Sequence, residues 1–285
     1  MSLPDYALSS ALFDNTTPLD QAARAMQAVG FRQVEIFGQP DHLCHCLDDP
    51  EATRRTLEDH GIAVVSVHSP VEGWDNDAWD DEARLASVAA GAQSLRQAAL
   101  LGASVVVIHP NTRSHPFGQE NWRRNWCNTR DSLTRLAEVA SEVGVSMALE
   151  NMPDRGDGER GTRPGVRVDD LLAMIAGLGD QVGILLDVGH CNISDTDPGA
   201  EALRSGQKLL ELHLQDNEGI PGEDQHLMPG LGTIDWDSLL DTLDGAGYAG
   251  LLTFEAGRPE PKDELLQRLG ALRSAWNGRT RGEMQ

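Results

Sequence analysis

Short apolar runs rich in β-branched residues alternate with segments of helical period along the whole chain, and this alternation most constrains the fold. The runs cover residues 6–13, 33–37, 63–68, 104–109, 145–150, 182–187, 209–213 and 250–255. Between the first two, Leu19, Ala22, Ala23, Met26 and Val29 fall on one helical face. Gly61 and Gly102 stand where a helix would end just before a strand, and Pro18, Pro50 and Pro198 stand near helix starts. Eight strands, each followed by a helix, predict an α/β fold closed into a single (β/α)8 TIM barrel. An open doubly wound sheet is the alternative. It would bring a Gly-rich phosphate turn after the first strand, where this chain has Asp14-Asn15-Thr16-Thr17. No composition break or long linker divides the chain, so residues 1–285 read as one domain, with a polar, frayed tail after Trp276.

Seven consecutive strands finish on, or one step from, a side chain that can bind metal or move a proton. They read VEIFG (Glu35), VVSVHSP (His68), VVVIHP (His109), MALEN (Glu150), ILLDVGH (Asp187, His190), LELHLQDN (His213) and LLTFEA (Glu255). Asp224 and His226, in GEDQHLMPG, belong to the loop after the seventh strand. The C-terminal strand ends of such a barrel converge on one face. A lone His or Glu after an apolar run is ordinarily a cap or a rim residue. Several carboxylates converging in a half-buried mouth are another matter, because each uncompensated ion costs several kcal/mol. Neutral imidazoles interleaved with them point to a divalent cation as the compensating charge.

Composition bears on partners. The chain has 23 Lys+Arg against 45 Asp+Glu, a formal −22, which repels phosphate backbones and anionic membranes. No nucleic-acid or membrane partner is therefore expected. No run reaches transmembrane length, and MSLPDYALSS lacks the pattern of a signal peptide, so the expectation is a cytoplasmic protein. Four cysteines in a chain this long read as thiols. Among them, Cys44 and Cys46 lie in DHLCHC, which no second Cys pair completes as a zinc site, and Cys191 reads as packing.

The segments LEN, LLDVGH, HLQDN, DQHLMPGLGTIDW and TFE resemble the xylose isomerase-like barrel superfamily. That group includes sugar and sugar-phosphate isomerases and epimerases, inosose dehydratases and endonuclease IV. The likeness is strongest from Val145 to Glu255 and traceable back to Glu35. In the sugar-active branch it implies one divalent ion held by Glu150, Asp187, His213 and Glu255. That ligand set suits Mn, Mg or Co more than a closed Zn site. The larger set of endonuclease IV, which holds three zinc ions, is also matched: it adds His68, His109, His190, Asp224 and His226. These five are thus further metal ligands or substrate contacts, and more than one ion per chain stays open.

The resemblance implies an isomerase or epimerase of a sugar, sugar phosphate or cyclic polyol, acting through a metal-stabilised enediolate with Glu150 and Glu255 as acid and base. Loss of a β-hydroxyl from the same intermediate would make it a dehydratase or lyase. Metal-dependent phosphodiester hydrolysis is a third reading, which the −22 charge opposes. The ketose-epimerase branch carries an arginine where this chain has Gly219, which counts against 3-epimerase activity of that narrow type. Glu35 is open between substrate contact and barrel mouth. Arg155, with Arg113, Arg123, Arg124, Arg160 and Arg163, lies in active-face loops that could bind a substrate anion or simply pair with nearby acids. Trp122 and Trp126, one helical turn apart, suit packing better than a lid. Relatives are often oligomers, so a homo-oligomer is left open.

Overall fold

The computed structural model describes residues 5–39, 42–111, 118–154, 163–257 and 261–279, except the Cys44 side chain. Eight strands are β1 (Tyr6–Ser9), β2 (Gln33–Phe37), β3 (Ala63–His68), β4 (Val105–Ile108), β5 (Ser146–Glu150), β6 (Val182–Asp187), β7 (Leu209–Leu214) and β8 (Leu251–Phe254). All neighbours pair in parallel, and β8 returns to β1, closing the barrel. The helices are α1 (Leu19–Ala28), α2 (Pro50–Asp59), α3 (Asp81–Leu101), α4 (Gln119–Val143), α5 (Val168–Ile175), α6 (Val188–Ile193), α7 (Pro198–Ser205), α8 (Trp236–Ala246) and α9 (Lys262–Asn277). No helix among the described residues is long and apolar enough to cross a membrane.

Local chemistry explains the boundaries. Asp49, Asp80, Asp197 and Asp235 cap α2, α3, α7 and α8 through side-chain bonds to backbone N–H groups. Gly102 ends α3 in the left-handed conformation, with φ of 80°. Two expectations need correction. The first strand stops at Ser9, not residue 13, because the Ser9 hydroxyl accepts from Ala11 N–H and starts a 3-10 turn over Ser10–Leu12. The chain after Trp276 is not all frayed, because Arg279 is tied by ion pairs to Asp237 and Asp241.

Strand alternation sorts the side chains. Val34, Ile36, Leu212, Leu214, Leu252 and Phe254 are buried in the main hydrophobic core. Val105, Val107, Ala148 and Leu185 form a separate apolar cluster. Glu35, Glu211, His213 and Thr253, of the opposite parity on their strands, are fully buried polar residues, as is Ser66 on β3.

Asp77, in the turn before α3, is fully buried, and burial together with Asp75 pushes its carboxyl up to about 11. Unfolded, it ionises near 3.8. Between those values the fold retains a proton that the unfolded chain releases, so stability falls as pH rises. Asn cannot ionise. Asp77→Asn is expected to match the wild type near pH 4 and to exceed it by pH 8 in thermal unfolding. A constant offset across that range would contradict the assignment.

Candidate metal centre and active face

At the C-terminal ends of the strands a cleft of about 440 Å³ opens, lined among others by His68, His109, Glu150, His190, Asp224, His226 and Glu255. The barrel closure therefore brings together residues more than 150 positions apart in sequence.

Glu150, at the end of β5, is almost fully buried and meets three imidazoles. His109 Nε2 is 2.9 Å from its Oε2, His68 Nε2 is 3.3 Å from the same oxygen, and His190 Nδ1 is 3.4 Å from Oε1. Burial alone would raise this carboxyl, but the His109 and His68 contacts outweigh it and hold Glu150 well below the usual range. His68 is disfavoured as a cation by burial, yet Glu150, Glu35 and Glu255 bring it up to about 9. For His109 burial wins and lowers it.

Asp187 ends β6 and caps α6. Its Oδ1 accepts from His190 N–H at 2.7 Å and from Gln215 Nε2 at 3.1 Å. Its Oδ2 is buried without a hydrogen-bond partner. Burial raises this carboxyl to about 6 against the pull of His190. His213, paired with Asp187 across the β6–β7 ladder, is also fully buried. Its Nδ1 lies 3.0 Å from Glu255 Oε2 without forming a hydrogen bond. Donor atoms of Glu150, Asp187 and His213 lie within 4.8 Å of one another.

This donor set fits a divalent cation. Two buried donor atoms, Asp187 Oδ2 and His213 Nδ1, are without hydrogen-bond partners, and three carboxylates with one imidazole suit a hard or borderline ion with room for substrate oxygens. A second group lies beside it: Asp224 Oδ2 is 3.1 Å from His190 Nε2 and 3.3 Å from His226 Nε2. Burial opposes ionisation of Asp224, but His226 and His190 drive it far below the usual range. His226 adopts a left-handed backbone, φ 48°, unusual for a residue with a side chain, and its Nδ1 meets the Glu255 carbonyl oxygen at 2.9 Å.

Several supporting residues carry no sequence signal of their own role. Asn151 clamps β5 to β6: its Oδ1 accepts from Asp187 N–H at 2.6 Å and its Nδ2 donates to the Asp187 carbonyl at 3.1 Å. Gln215 Nε2 donates to both Asp187 Oδ1 and Asp224 Oδ1, joining the two groups. Gly189 permits this, because a Cβ there would lie 2.1 Å from the Gln215 side chain. The LMPGLGTIDW motif is explained by Asp216. Its carboxylate accepts from Asn217, Gly230 and Ile234 N–H and from Trp236 Nε1. A Cβ at Gly232 would sit 2.3 Å from Asp216 Oδ1. Asp216→Ala should therefore cost about 3 kcal/mol or more, since it orphans several donors at once. Chemical denaturation measures this; a loss under about 1 kcal/mol would show that the loop holds itself.

Other expected residues are placed differently. Glu35 is fully buried and does not line the cleft; its carboxylate meets His213 Nε2 at 3.0 Å. Arg155, Arg113 and Arg160 lie outside the described residues. Arg163 is buried, with its guanidinium bonded to Asn111 Oδ1 and the Pro153 carbonyl. Arg124 stacks over Trp79 at 4.3 Å. Trp122 and Trp126 stack on each other at 4.8 Å, and Trp126 packs against the core. Cys191 is buried, and burial pushes its thiol up, as suits a packing role.

Comparison with known proteins agrees with this architecture. The family described as "Xylose isomerase-like TIM barrel" matches residues 23–275. An uncharacterised Mycobacterium tuberculosis protein is 31% identical over 241 residues, covering 80% of each chain. The L-ribulose 3-epimerase of Mesorhizobium japonicum is 30% identical over 156 residues, 54% of this chain and 48% of that one. The crystal structure of a D-tagatose 3-epimerase-like protein superposes with a TM-score of 0.78 at 21% identity, covering 95% of this chain and 97% of that one. Fold, motif and match over most of the chain agree: this protein belongs to the xylose isomerase-like TIM barrel family.

Proposed function

We propose that the protein is a divalent-metal-dependent isomerase or epimerase of a sugar, sugar phosphate or cyclic polyol. The observation that carries this reading is the placement of Glu150 and Glu255 in one cleft, both beside His213, whose Nδ1 lies 3.0 Å from Glu255 Oε2. Glu150, Asp187, His213 and Glu255 would hold the ion. A bound divalent ion would supply Lewis-acid polarisation of a substrate carbonyl and its neighbouring hydroxyl.

The chain's own residues supply the proton transfers. Both glutamates are ionised: Glu150 lies well below the usual range, and His213 and His226 outweigh burial to bring Glu255 to about 2. One carboxylate takes the proton from carbon beside the carbonyl. The other, once protonated from a neighbouring imidazole, returns a proton. Return to the opposite face of the same carbon inverts it; return to the neighbouring carbon isomerises. His226, whose Nδ1 meets the Glu255 carbonyl at 2.9 Å and lies 3.8 Å from Glu255 Oε2, is the imidazole beside this carboxylate on the open side of the cleft. Loss of a β-hydroxyl after the first step would make the protein a dehydratase or lyase on the same residues. The L-ribulose 3-epimerase relative supports chemistry of the proton-transfer class.

A panel of ketopentoses, ketohexoses and inososes incubated with enzyme and Mn²⁺ in deuterated water tests this. Deuterium entering the carbon beside the carbonyl is the expected result. No exchange on any member, with metal bound, would sink it.

A second reading has its own observation. His68–His109–Glu150 and His190–Asp224–His226 each bring donor atoms within 4.8 Å, as a multinuclear phosphodiesterase would require. Metal analysis separates the two, because one ion per chain supports the sugar-active site and two or three support hydrolysis.

A further inference from the structure

Below the four proposed ligands runs a buried polar chain that the proton-transfer chemistry does not use. Glu35 on β2, Ser66 on β3, Glu211 on β7 and Thr253 on β8 are all fully buried. The Glu211 Oε1 atom accepts from Thr253 Oγ1 at 2.5 Å and from Ser66 Oγ at 2.9 Å. Ser66 Oγ is also 3.5 Å from Glu35 Oε2. Two carboxyls in an apolar interior are costly, and apolar side chains would stabilise the barrel more simply. Substrate contact does not account for them, since neither carboxyl lines the cleft.

The chain ends on a ligand. Glu35 Oε2 lies 3.0 Å from His213 Nε2, while the opposite ring nitrogen, Nδ1, faces Glu255 and has no hydrogen-bond partner. The nitrogens of a singly protonated imidazole play opposite parts: where one donates, the other presents its lone pair. Once a cation displaces the proton at Nδ1, an acceptor at Nε2 holds the proton that remains, and it turns the ring so that Nδ1 points at the donor group. A carboxylate behind a histidine ligand also makes that ligand more basic.

We propose that Glu35 is a positioning residue of the metal centre, which rests on the metal-dependent activity proposed above: it takes the Nε2–H of His213, leaves Nδ1 open toward the Glu150–Asp187–Glu255 group, and is held there by Ser66, Glu211 and Thr253. Glu35 never touches the substrate. Its effect on the bound ion passes through His213.

The test is Mn²⁺ affinity, measured by titration calorimetry on metal-free wild-type and Glu35→Gln proteins. Gln is isosteric but a neutral, weaker acceptor. A 10- to 100-fold loss of affinity, roughly, is expected. Affinity equal to the wild type overturns the inference and leaves the proposed activity standing. Wild-type protein that binds no Mn²⁺ overturns the proposed activity and this inference with it. Should Glu35→Gln fail to fold, the ¹⁵N shifts of His213 in Mg²⁺-loaded wild type decide. A protonated Nε2 with an unprotonated Nδ1 supports the assignment, and the reverse tautomer overturns it.

Discussion

Glu150→Gln and Glu255→Gln are each expected to lower turnover on the true substrate by about a hundredfold to ten-thousandfold, the range of a lost general acid or base. The substitutions change little in volume, but both carboxylates are buried against imidazoles, so the fold of each variant is checked by circular dichroism before turnover is compared. The two variants should differ in kind. If each glutamate serves one face of the reacting carbon, Glu150→Gln still allows exchange of the proton that Glu255 handles, and Glu255→Gln the converse. Each variant would then wash deuterium into one epimer only, without converting it to the other. Proton exchange followed by mass or NMR detection on each separate epimer measures this. Full turnover in both variants with metal bound would mean that neither glutamate is the acid or base. Loss of metal is the confounding cause, so ion content must be measured on the same samples.

Removing the metal should abolish that activity and lower the melting temperature. An ion at a hundred times its Kd stabilises the folded state by about 2.7 kcal/mol. The pH dependence of its binding has a definite sign. In the metal-free site burial works against a charged His213, but Glu35 and Glu255 outweigh it and raise His213 well above its ordinary value. A cation bound at Nδ1 must displace a proton there, so affinity rises with pH by up to about tenfold per unit for each proton released. Asp187, raised to about 6, adds to the effect in acid, where it too must lose a proton first. Calorimetric titration with Mn²⁺ at pH 6 and pH 8, in buffers of different ionisation heat, counts the protons. Affinity that does not change with pH would place the ion somewhere other than this group. Asp187→Asn should weaken binding most at high pH, where the lost charge matters in full.

The fold was legible because its signals are local. Apolar runs bounded by Gly, Pro and Asp caps mark where each strand and helix begins, and those rules need no partner. The first strand departs most from its apolar run, because the Ser9 hydroxyl turns the chain after four residues; the fourth, fifth and eighth stop one residue short of theirs at one or both ends. The strand-end residues were legible for a related reason, since each follows an apolar run at the end that faces the loops. Function of the supporting residues was not legible. Asn151, Gln215 and Asp216 sit near the strand-end acids and histidines, but a polar residue after a strand looks the same whether it clamps a neighbouring strand or faces solvent. Glu35 shows this most clearly. It matched the pattern of its neighbours at the strand ends, yet it lies in the barrel interior behind His213.

The formal charge of −22 was legible as composition, and so was its expected repulsion of nucleic acid. Where the charges cancel was not. Glu150, Asp187, Asp224 and Glu255 meet five histidines at the C-terminal end of the barrel, and a bound cation would neutralise part of that charge in turn.

By itself, then, the sequence determined the order of strands and helices, the closed barrel, and which titratable residues end its strands. Tertiary structure alone decided how deep each one lies and which partner it meets. The reason is register. The β2–β3 ladder shifts between Val34 and Glu35, which sets Glu35 opposite Ser66, and the β6–β7 ladder shifts between Ile184 and Leu185, which sets Asp187 opposite His213. A shift of one residue moves a side chain along the barrel axis and changes every contact it makes. It follows from how all eight strands close together, and no local stretch of sequence encodes it.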